Sequence, residues 1–393
     1  MRDFNRRSFL ATGAAVPLAS ALGVSGSLAA SMSGGAASDL ERLRGIIKFR
    51  GDGQSLTPPE YSHVLQEILA EREIEPDNYS LGGSVEELEE RMAGILGKER
   101  AVFLPTGTLA NSLAVRIQAR GRTRVIVQDD SHIYNDSGDC AQVLSNLNLV
   151  PLAHDAGTFT LNDVERVIER AASGRVHTGV GAIVIESPIR RRRGELFDYD
   201  EMQRICRFAR DNDIATHLDG ARLFMASGYT GIAPAEYASH FDTVYVSMWK
   251  YFNASSGAIL AGSRDLLDDL YHDRRMFGGA LPAAWPLTAV AQHFVDGFEE
   301  RFAAGVAASK QLITELDELP GVRVEPVPNG SNIFKLHVED VDLTAFHAAL
   351  AERDVQLPGP ASGWSGFFLT VNETLARQPV EETARAFREA LGA

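Results

Sequence analysis

Cysteine and long apolar runs are scarce in this sequence, and each scarcity excludes a class of protein. Only two cysteines, Cys140 and Cys206, occur among 393 residues, so neither a disulfide framework nor a metal site is expected. No stretch in the body of the chain is long and apolar enough to predict a membrane-spanning helix. The formal net charge of −15 leaves no basic stripe for a nucleic-acid partner. The composition is otherwise that of an ordinary globular protein.

The N-terminus has a character of its own. The segment Asn5–Leu10 (NRRSFL) is a twin-arginine pattern, and a mildly apolar run interrupted by Pro17 follows it. Small residues at Ser27–Ala30 form a cleavage site of the usual type. We therefore expect a signal peptide over residues 1–30, a linker over 31–38, and export to the periplasm by the twin-arginine machinery. The alternative is a disordered basic N-terminus.

Short apolar runs alternate with amphipathic helices over the middle of the chain. The predicted strands are Arg124–Gln128, Gly181–Glu186, Ile214–Leu218, Thr243–Met248 and Ala258–Ala261. A clear helix, Tyr199–Asp211, lies between two of them. Such alternation predicts an α/β fold with a largely parallel sheet covered by helices on both faces. Ligands of these sheets bind at the carboxyl ends of the strands, so the residues that follow each strand are candidates for function.

The flanking parts of the chain complete the predicted organisation. Shorter strands and helices from about residue 304 predict a small α+β domain over 304–393, beside a large domain over 39–303. Ser84 followed by Glu87 is typical of a capping box and predicts the start of a helix that ends at Gly97.

Lysine is also scarce, and this scarcity draws attention to one position. The chain has five lysines, and Lys250 alone lies between residues 99 and 309. It follows the predicted strand Thr243–Met248 directly, in an apolar and aromatic setting. Desolvation there lowers the pKa of an amine and favours its nucleophilic form. Lys250 is thus a candidate for a covalent bond to a carbonyl group, although an ordinary surface lysine could occupy the same position.

Asp219 ends a second predicted strand, and Gly220 after it allows close approach of another group. A carboxylate placed there can keep a cofactor ring nitrogen protonated, so that the ring accepts electrons. The alternative is an N-cap for the next helix. Asp219 and Lys250 together indicate an electron-accepting ring with a covalent tether.

Two further segments offer contacts for a phosphate and for a planar ring. Thr106, Gly107 and Thr108 open a helix, and the N–H groups and hydroxyls of such a terminus bind phosphate well. His132 follows another predicted strand, where it can lie over a ring. Each signal is weak by itself, since threonines start many helices and an isolated histidine is more often structural.

In chain order, these features resemble the type I fold of pyridoxal-phosphate enzymes and are most similar to the threonine aldolase and β-eliminating lyase family. The segment His217–Phe224 (HLDGARLF) is nearly that family's signature, and Pro105–Ala114 (PTGTLANSLA) resembles its phosphate-binding helix. Asp130–Asp139, Asp77–Glu99 and Met248–Ser263 are also similar to family segments. The resemblance runs from about residue 48 to residue 279, well over half of the chain.

The resemblance implies a role for each candidate residue. Thr106, Gly107 and Thr108 would bind the phosphate of pyridoxal 5'-phosphate, His132 would stack on the ring, Asp219 would pair with the pyridine nitrogen, Lys250 would form the covalent link, and Arg222 would contact the cofactor or the substrate carboxylate. His132 is one candidate for the base that takes the substrate's β-hydroxyl proton, and His177 is a second. A homodimer or homotetramer is also implied.

The departures from the family concern the substrate. Bulky Trp249 and Tyr251 flank the lysine where the family has small residues, and Phe367 aligns with its carboxylate-binding arginine. The family's Glu-Asn-Thr-His segment becomes Glu186–Arg190, and Pro282 replaces another expected arginine. The run that starts at Arg190 supplies a replacement anion site in one hypothesis and is a solvated loop in the other.

Three functions follow from these observations. The leading one is retro-aldol cleavage of a β-hydroxy-α-amino acid to glycine and an aldehyde. The second keeps the cofactor but performs β-elimination or transamination. The third, motivated by the missing arginines, is an exported binding protein without catalysis. Product analysis separates the first two, and the yellow absorbance of bound cofactor separates both from the third.

Overall fold

Seven strands form the central sheet in the computed structural model, which describes residues 43–392. Their spatial order is Arg100–Leu104, Ala258–Gly262, Thr243–Ser247, Ala215–Asp219, Val180–Glu186, Arg124–Gln128 and Asn148–Leu152. Ala258–Gly262 runs antiparallel to both of its neighbours, and the other pairs are parallel. The prediction of an α/β fold with a largely parallel sheet is therefore confirmed.

Helices bury both faces of this sheet. The longer ones are Pro58–Glu71, Gly83–Leu96, Gly107–Ala119, Leu161–Ala172, Tyr199–Asp211, Leu223–Thr230, Trp285–Val295, Phe298–Asp317, Leu343–Ala351 and Val380–Leu391. The shorter helices are His132–Asn135, Cys140–Ser145, Pro234–Ser239, Arg264–Leu267, Leu270–Met276 and the 3₁₀ helix Glu373–Ala376. None of the helices among the described residues has the length and apolar character needed to cross a membrane.

Strand register places polar side chains side by side at one edge of the sheet. Glu186 pairs with Asp219 across two parallel strands, at the carboxyl end of both. One strand further, His217 pairs with Thr243, the first residue of its strand, so this pair lies deeper in the sheet than Glu186 and Asp219. The strands themselves are apolar and almost fully buried, as expected for a sheet covered on both faces. The polar residues at their ends are therefore held in place by a rigid apolar layer.

A smaller antiparallel sheet lies in the C-terminal part. It contains Gly366–Thr370, Ile333–Val338 and Val322–Pro326, in that spatial order. The short N-terminal strand Ile47–Lys48 pairs with Val355–Gln356, so this early segment packs with C-terminal elements. The helix Phe298–Asp317 runs through residue 304 and contacts elements on both sides of that position. The division into two domains at residue 304 stays a prediction.

Other expectations need correction. The strands Arg100–Leu104 and Asn148–Leu152 were not predicted. Ser84 does not cap its helix, because the helix begins at Gly83 with Gly82 as the N-cap. The Ser84 hydroxyl instead lies 2.6 Å from the Thr288 hydroxyl, between two helices. The predicted signal peptide and linker, residues 1–38, lie outside the described residues.

Candidate active site

A cavity of about 430 Å³ lies at the carboxyl ends of the central strands. It is lined by most of the predicted site residues, namely His132, Asp219, Arg222, Lys250 and Arg190, and by Glu186 and Trp249. A second cavity of about 680 Å³ adjoins it and shares Arg222, Trp249 and Lys250 with it. The N-terminal segment around Asp52 forms the wall of this larger space. The two cavities therefore form one cleft, with Lys250 at the junction.

Lys250 lies in the connection between two antiparallel strands, Thr243–Ser247 and Ala258–Gly262. Burial, together with the nearby Arg222 guanidinium, lowers the pKa of its amine to about 8. At pH 7 roughly one molecule in ten then carries the neutral amine, whereas an ordinary lysine carries almost none. The amine also lies 5.2 Å from the centre of the Trp249 ring. Burial therefore favours the neutral, nucleophilic form of this amine more than it is favoured in an exposed lysine.

Asp219 ends the strand Ala215–Asp219 and is 2% exposed. Its Oδ2 accepts a hydrogen bond from the Asn111 side chain at 2.6 Å, and its Oδ1 accepts one from the backbone N–H of Ala221 at 3.2 Å. A Cβ at Gly220 would lie 2.9 Å from the Tyr245 carbonyl oxygen, so only glycine fits there without a shift. The Asp219 carboxylate is thus held from two sides and still lines the cavity.

His132 and the Arg190 loop are connected by a residue that the sequence did not single out, Glu186. The backbone N–H groups of His132 and Arg190 donate to the two Glu186 carboxylate oxygens at 2.5 and 2.9 Å. Burial, together with the negative charge of Asp219, raises the pKa of Glu186 to about 8. Burial also lowers the pKa of His132, which favours its neutral imidazole. Parallel pairing with Asp219 explains why Glu186 enters the site.

The helix Gly107–Ala119 begins next to Tyr245, which lines this cavity, although Thr106, Gly107 and Thr108 themselves do not line it. Thr106 is its N-cap, and the Thr106 hydroxyl accepts the backbone N–H of Leu109 at 3.2 Å. The N–H groups of Gly107 and Thr108 have no partner within a helix, because they belong to its first turn. A Cβ at Gly107 would lie 2.0 Å from the Tyr245 hydroxyl, so this turn packs directly on the strand that leads to Lys250. The arrangement suits a bound phosphate.

The predicted anion-binding arginines are already paired with carboxylates. Arg222 Nε donates to Asp52 at 2.9 Å, and both side chains are largely buried. Arg190 and Arg191 both donate to Asp136, Arg191 through two nitrogens. A substrate carboxylate would therefore have to share or replace an existing partner.

Two other residues lie away from the cavity. His177 is exposed and precedes the amino end of strand Val180–Glu186, the end opposite to Glu186. The structure therefore does not bring His177 to the other candidates. Phe367 is fully buried against Phe346 in the C-terminal part of the molecule. Phe367, which the sequence comparison aligns with the family's carboxylate-binding arginine, is therefore an apolar packing residue.

The groups that converge here match the needs of a planar, phosphorylated aldehyde. Lys250 supplies a primary amine with a lowered pKa, Asp219 supplies a fixed carboxylate, and His132 supplies an imidazole. The first turn of the helix at Gly107 supplies N–H groups for a phosphate. The donor set therefore fits pyridoxal phosphate.

Known proteins share both the sequence and the architecture. Residues 61–339 match the profile of beta-eliminating lyases. A low-specificity L-threonine aldolase of Candida albicans is 28% identical over 250 residues, which are 63% of this chain and 66% of that protein. An alanine racemase of Cochliobolus carbonum is 29% identical over 233 residues, 59% of this chain and 58% of that protein. A crystal structure from Listeria monocytogenes, assigned as an L-allo-threonine aldolase, superimposes with a TM-score of 0.73 and 27% identity over 90% of this chain and 99% of that one.

Proposed function

Because this chain belongs to the beta-eliminating lyase family, we propose that it is a pyridoxal-phosphate-dependent lyase that cleaves β-hydroxy-α-amino acids to glycine and an aldehyde. The observation that carries this proposal is the meeting of Lys250, Asp219 and His132 in one cavity. The relatives named threonine aldolases support it. The type I architecture, with its mostly parallel sheet, agrees with this chemistry.

Pyridoxal phosphate, when bound, supplies an electron sink for the charge left on Cα when the Cα–Cβ bond breaks. Lys250 would hold the cofactor aldehyde covalently, and Asp219 would stabilise a proton on the ring nitrogen. Gly107 and Thr108 would bind the phosphate through backbone N–H groups. In this assignment each of these residues meets a different part of one ligand.

His132 takes the β-hydroxyl proton of the substrate. Its lowered pKa leaves the imidazole neutral at pH 7, as a general base requires. The Glu186 carboxyl group accepts the backbone N–H of His132, which fixes the start of the short helix His132–Asn135 beside the cavity. Glu186 is therefore a positioning residue for this base.

The substrate carboxylate is the least conventional part of the proposal. Because Phe367 is buried and apolar, we assign the anion site to the rim formed by Arg190 and Arg191. Their guanidinium groups are more than 40% exposed and share one partner, Asp136, so an incoming carboxylate can compete for them.

The test is incubation of the purified protein with a panel of β-hydroxy-α-amino acids. Retro-aldol cleavage predicts glycine and aldehyde in equal amounts, and no product from the Lys250→Ala variant. Ammonia with a keto acid would instead indicate β-elimination. Protein that stays colourless with added pyridoxal phosphate would support the binding protein and contradict both lyase functions.

A second reaction on the same cofactor is supported by one relative. The Cochliobolus protein is named an alanine racemase, so relatives at this level of identity differ in the bond they break. The aromatic Trp249 beside Lys250 also changes the pocket where the family has a small residue. β-Elimination or transamination is the alternative on the same cofactor: a keto acid with ammonia would indicate elimination, and a keto acid without ammonia would indicate transamination.

Export and assembly are further proposals. The twin-arginine pattern at Arg6 and Arg7 supports export to the periplasm, and fractionation of cells that express the full chain tests it.

Exposed apolar side chains at Tyr79, Leu81 and Met276 support a homo-oligomer, which light scattering of the purified protein tests.

A further inference from the structure

A line of buried polar side chains runs from Asp219 away from the cavity. Asn111, Gln118, His217 and Thr243 are all 0% exposed. Asn111 and Gln118 are seven residues apart on the helix Gly107–Ala119, and His217 and Asp219 are two apart on a strand, so each pair shares a face. The helix therefore presents two amides to the strands beneath it.

Hydrogen bonds join these side chains into one chain. Asn111 Nδ2 lies 2.6 Å from Asp219 Oδ2, and Asn111 Oδ1 lies 2.9 Å from His217 Nε2. His217 Nδ1 lies 2.8 Å from the Thr243 hydroxyl, which lies 2.8 Å from Gln118 Nε2. All of these distances are within the normal range for hydrogen bonds.

The donors and acceptors fit in one direction only. The Asp219 carboxylate accepts, so Asn111 presents its NH₂ to Asp219 and its carbonyl to His217. His217 must then carry its proton on Nε2, and its Nδ1 accepts from the Thr243 hydroxyl. From the other end, Gln118 Nε2 donates to the Thr216 carbonyl at 3.0 Å and therefore also donates to Thr243. The Asn111 end requires this histidine tautomer, and the bond from Gln118 is compatible with it because it leaves the Thr243 proton available for Nδ1.

The state of His217 agrees with this direction. Burial lowers the pKa of His217 to about 4, so the ring is neutral at pH 7 and offers one donor and one acceptor. No step of the proposed reaction uses His217, Thr243 or Gln118 directly. Burying four polar side chains costs free energy unless all of them are paired, and a paired network rigidifies its members.

We propose that Asn111, His217 and Thr243 are positioning residues that hold the Asp219 carboxylate against the pyridine nitrogen of the cofactor. The inference rests on the proposed cofactor chemistry and goes beyond it, because it assigns the control of ring-nitrogen protonation to residues that do not line the cavity. The chain of hydrogen bonds fixes the rotation of the Asp219 carboxylate through Oδ2, while the Ala221 N–H donates to Oδ1. Removal of the Thr243 hydroxyl should then lower the protonation of the cofactor ring nitrogen.

The experiment compares Thr243→Val, which keeps the shape but removes the hydroxyl, with Thr243→Ser, which keeps the hydroxyl. Two quantities are measured on the holoenzyme: the rate at which pyridoxal phosphate is lost, and the ¹⁵N chemical shift of a ¹⁵N-labelled cofactor, which reports the proton on the ring nitrogen. Thr243→Val should raise the rate of cofactor loss about fivefold to tenfold and move the shift towards the unprotonated ring. Thr243→Ser should stay within about twofold of the wild type.

Asn111→Leu extends the series, since it removes the contact to Asp219 itself and should give a larger change in both quantities. If that variant does not fold, the threonine pair still decides. A Thr243→Val protein that melts at a lower temperature but keeps the wild-type cofactor loss and ¹⁵N shift would overturn the inference, because only a packing role would remain. Wild-type protein that binds no cofactor would overturn the proposed function and this inference together. Loaded wild type with an unchanged Thr243→Val variant overturns this inference alone.

Discussion

The two halves of the cleft are built differently. On the cofactor side, Asp219 and its supporting residues are almost fully buried and hydrogen-bonded to one another. On the substrate side, Trp249 is 51% exposed, and Arg190 and Arg191 reach into partly open space. The motifs that resemble the family lie in the cofactor half, while the substrate half contains the bulky Trp249.

The difference teaches which part of the chemistry is constrained. Ring protonation and the covalent tether require precise geometry, and the buried hydrogen bonds that link Asn111, His217 and Thr243 to Asp219 supply it for the ring nitrogen. Substrate recognition needs only a suitable surface at the mouth, and exposed side chains can change there without disturbing the core. We expect substitutions in the cofactor half to change cofactor binding and kcat, and substitutions in the substrate half to change KM.

Lys250→Ala should give the largest effect. Loss of the amine removes the covalent tether, and we expect kcat to fall on the order of 10³-fold or more, with loss of the yellow absorbance band. Lys310→Ala changes an exposed lysine and serves as the matched control. Full activity in Lys250→Ala would mean that Lys250 is not the residue that tethers the cofactor.

His217 should make stability depend on acid pH. The unfolded chain binds a proton on His217 below about pH 6.5, whereas the folded protein does so only near pH 4. Stability is therefore fully present above pH 6.5 and is lost as the pH falls towards 4, by about 3 kcal/mol in all.

The measurement is urea unfolding at pH 7 and pH 5. In His217→Gln the difference in unfolding free energy between these values should be smaller by about 2 kcal/mol. His293→Gln, at an exposed position on the helix Trp285–Val295, is the control. An unchanged pH dependence in His217→Gln would show that folding does not lower the pKa of this ring and would contradict the prediction.

The double variant Arg190→Ala and Arg191→Ala tests the substrate half. If these guanidiniums bind the substrate carboxylate, KM should rise about tenfold while kcat and cofactor loss stay close to wild type. Arg193→Ala, from the same run but packed over the Phe368 ring, is the control. The anion-site assignment fails if KM is unchanged for every accepted amino acid.

Trp249→Ala should give the smallest effect. Opening the pocket beside Lys250 should raise kcat/KM for substrates that release bulky aldehydes by about fivefold, with the apparent cofactor Kd within about threefold of wild type. Trp364→Ala changes a tryptophan that packs on His337 in the C-terminal sheet and controls for loss of an aromatic side chain. A large change in cofactor binding in Trp249→Ala would contradict the separation of the cofactor half from the substrate half.

Sequence patterns predicted the main elements of this fold. The helix Tyr199–Asp211 has the predicted bounds, because Asp198 caps it and one apolar face is buried. The strand Asn148–Leu152 was missed because it contains Pro151, which is tolerated here since this strand lies at the sheet edge. Ser84 was misplaced as a cap because its partner Thr288 is more than 200 residues away in the chain.

The candidate site could be predicted only in part. Lys250, Asp219 and His132 were found because each follows a strand, and carboxyl ends of strands meet at one edge. Glu186 and Asn111 were not singled out, since their roles depend on strand register and helix packing that local periodicity does not encode. The pairing of Arg222 with Asp52 likewise joins residues 170 positions apart.

The strand Thr243–Ser247 carries an unusual share of the site. Thr243 contacts His217, Tyr245 packs on the turn at Gly107, and the same segment leads directly to Lys250. Alternate side chains of a strand point to one face, so these contacts cannot be adjusted separately by a shift in register. Residues 243–250 therefore behave as a single module. In laboratory evolution or chimera design they are best exchanged as a block, while the mouth of the cleft is varied residue by residue.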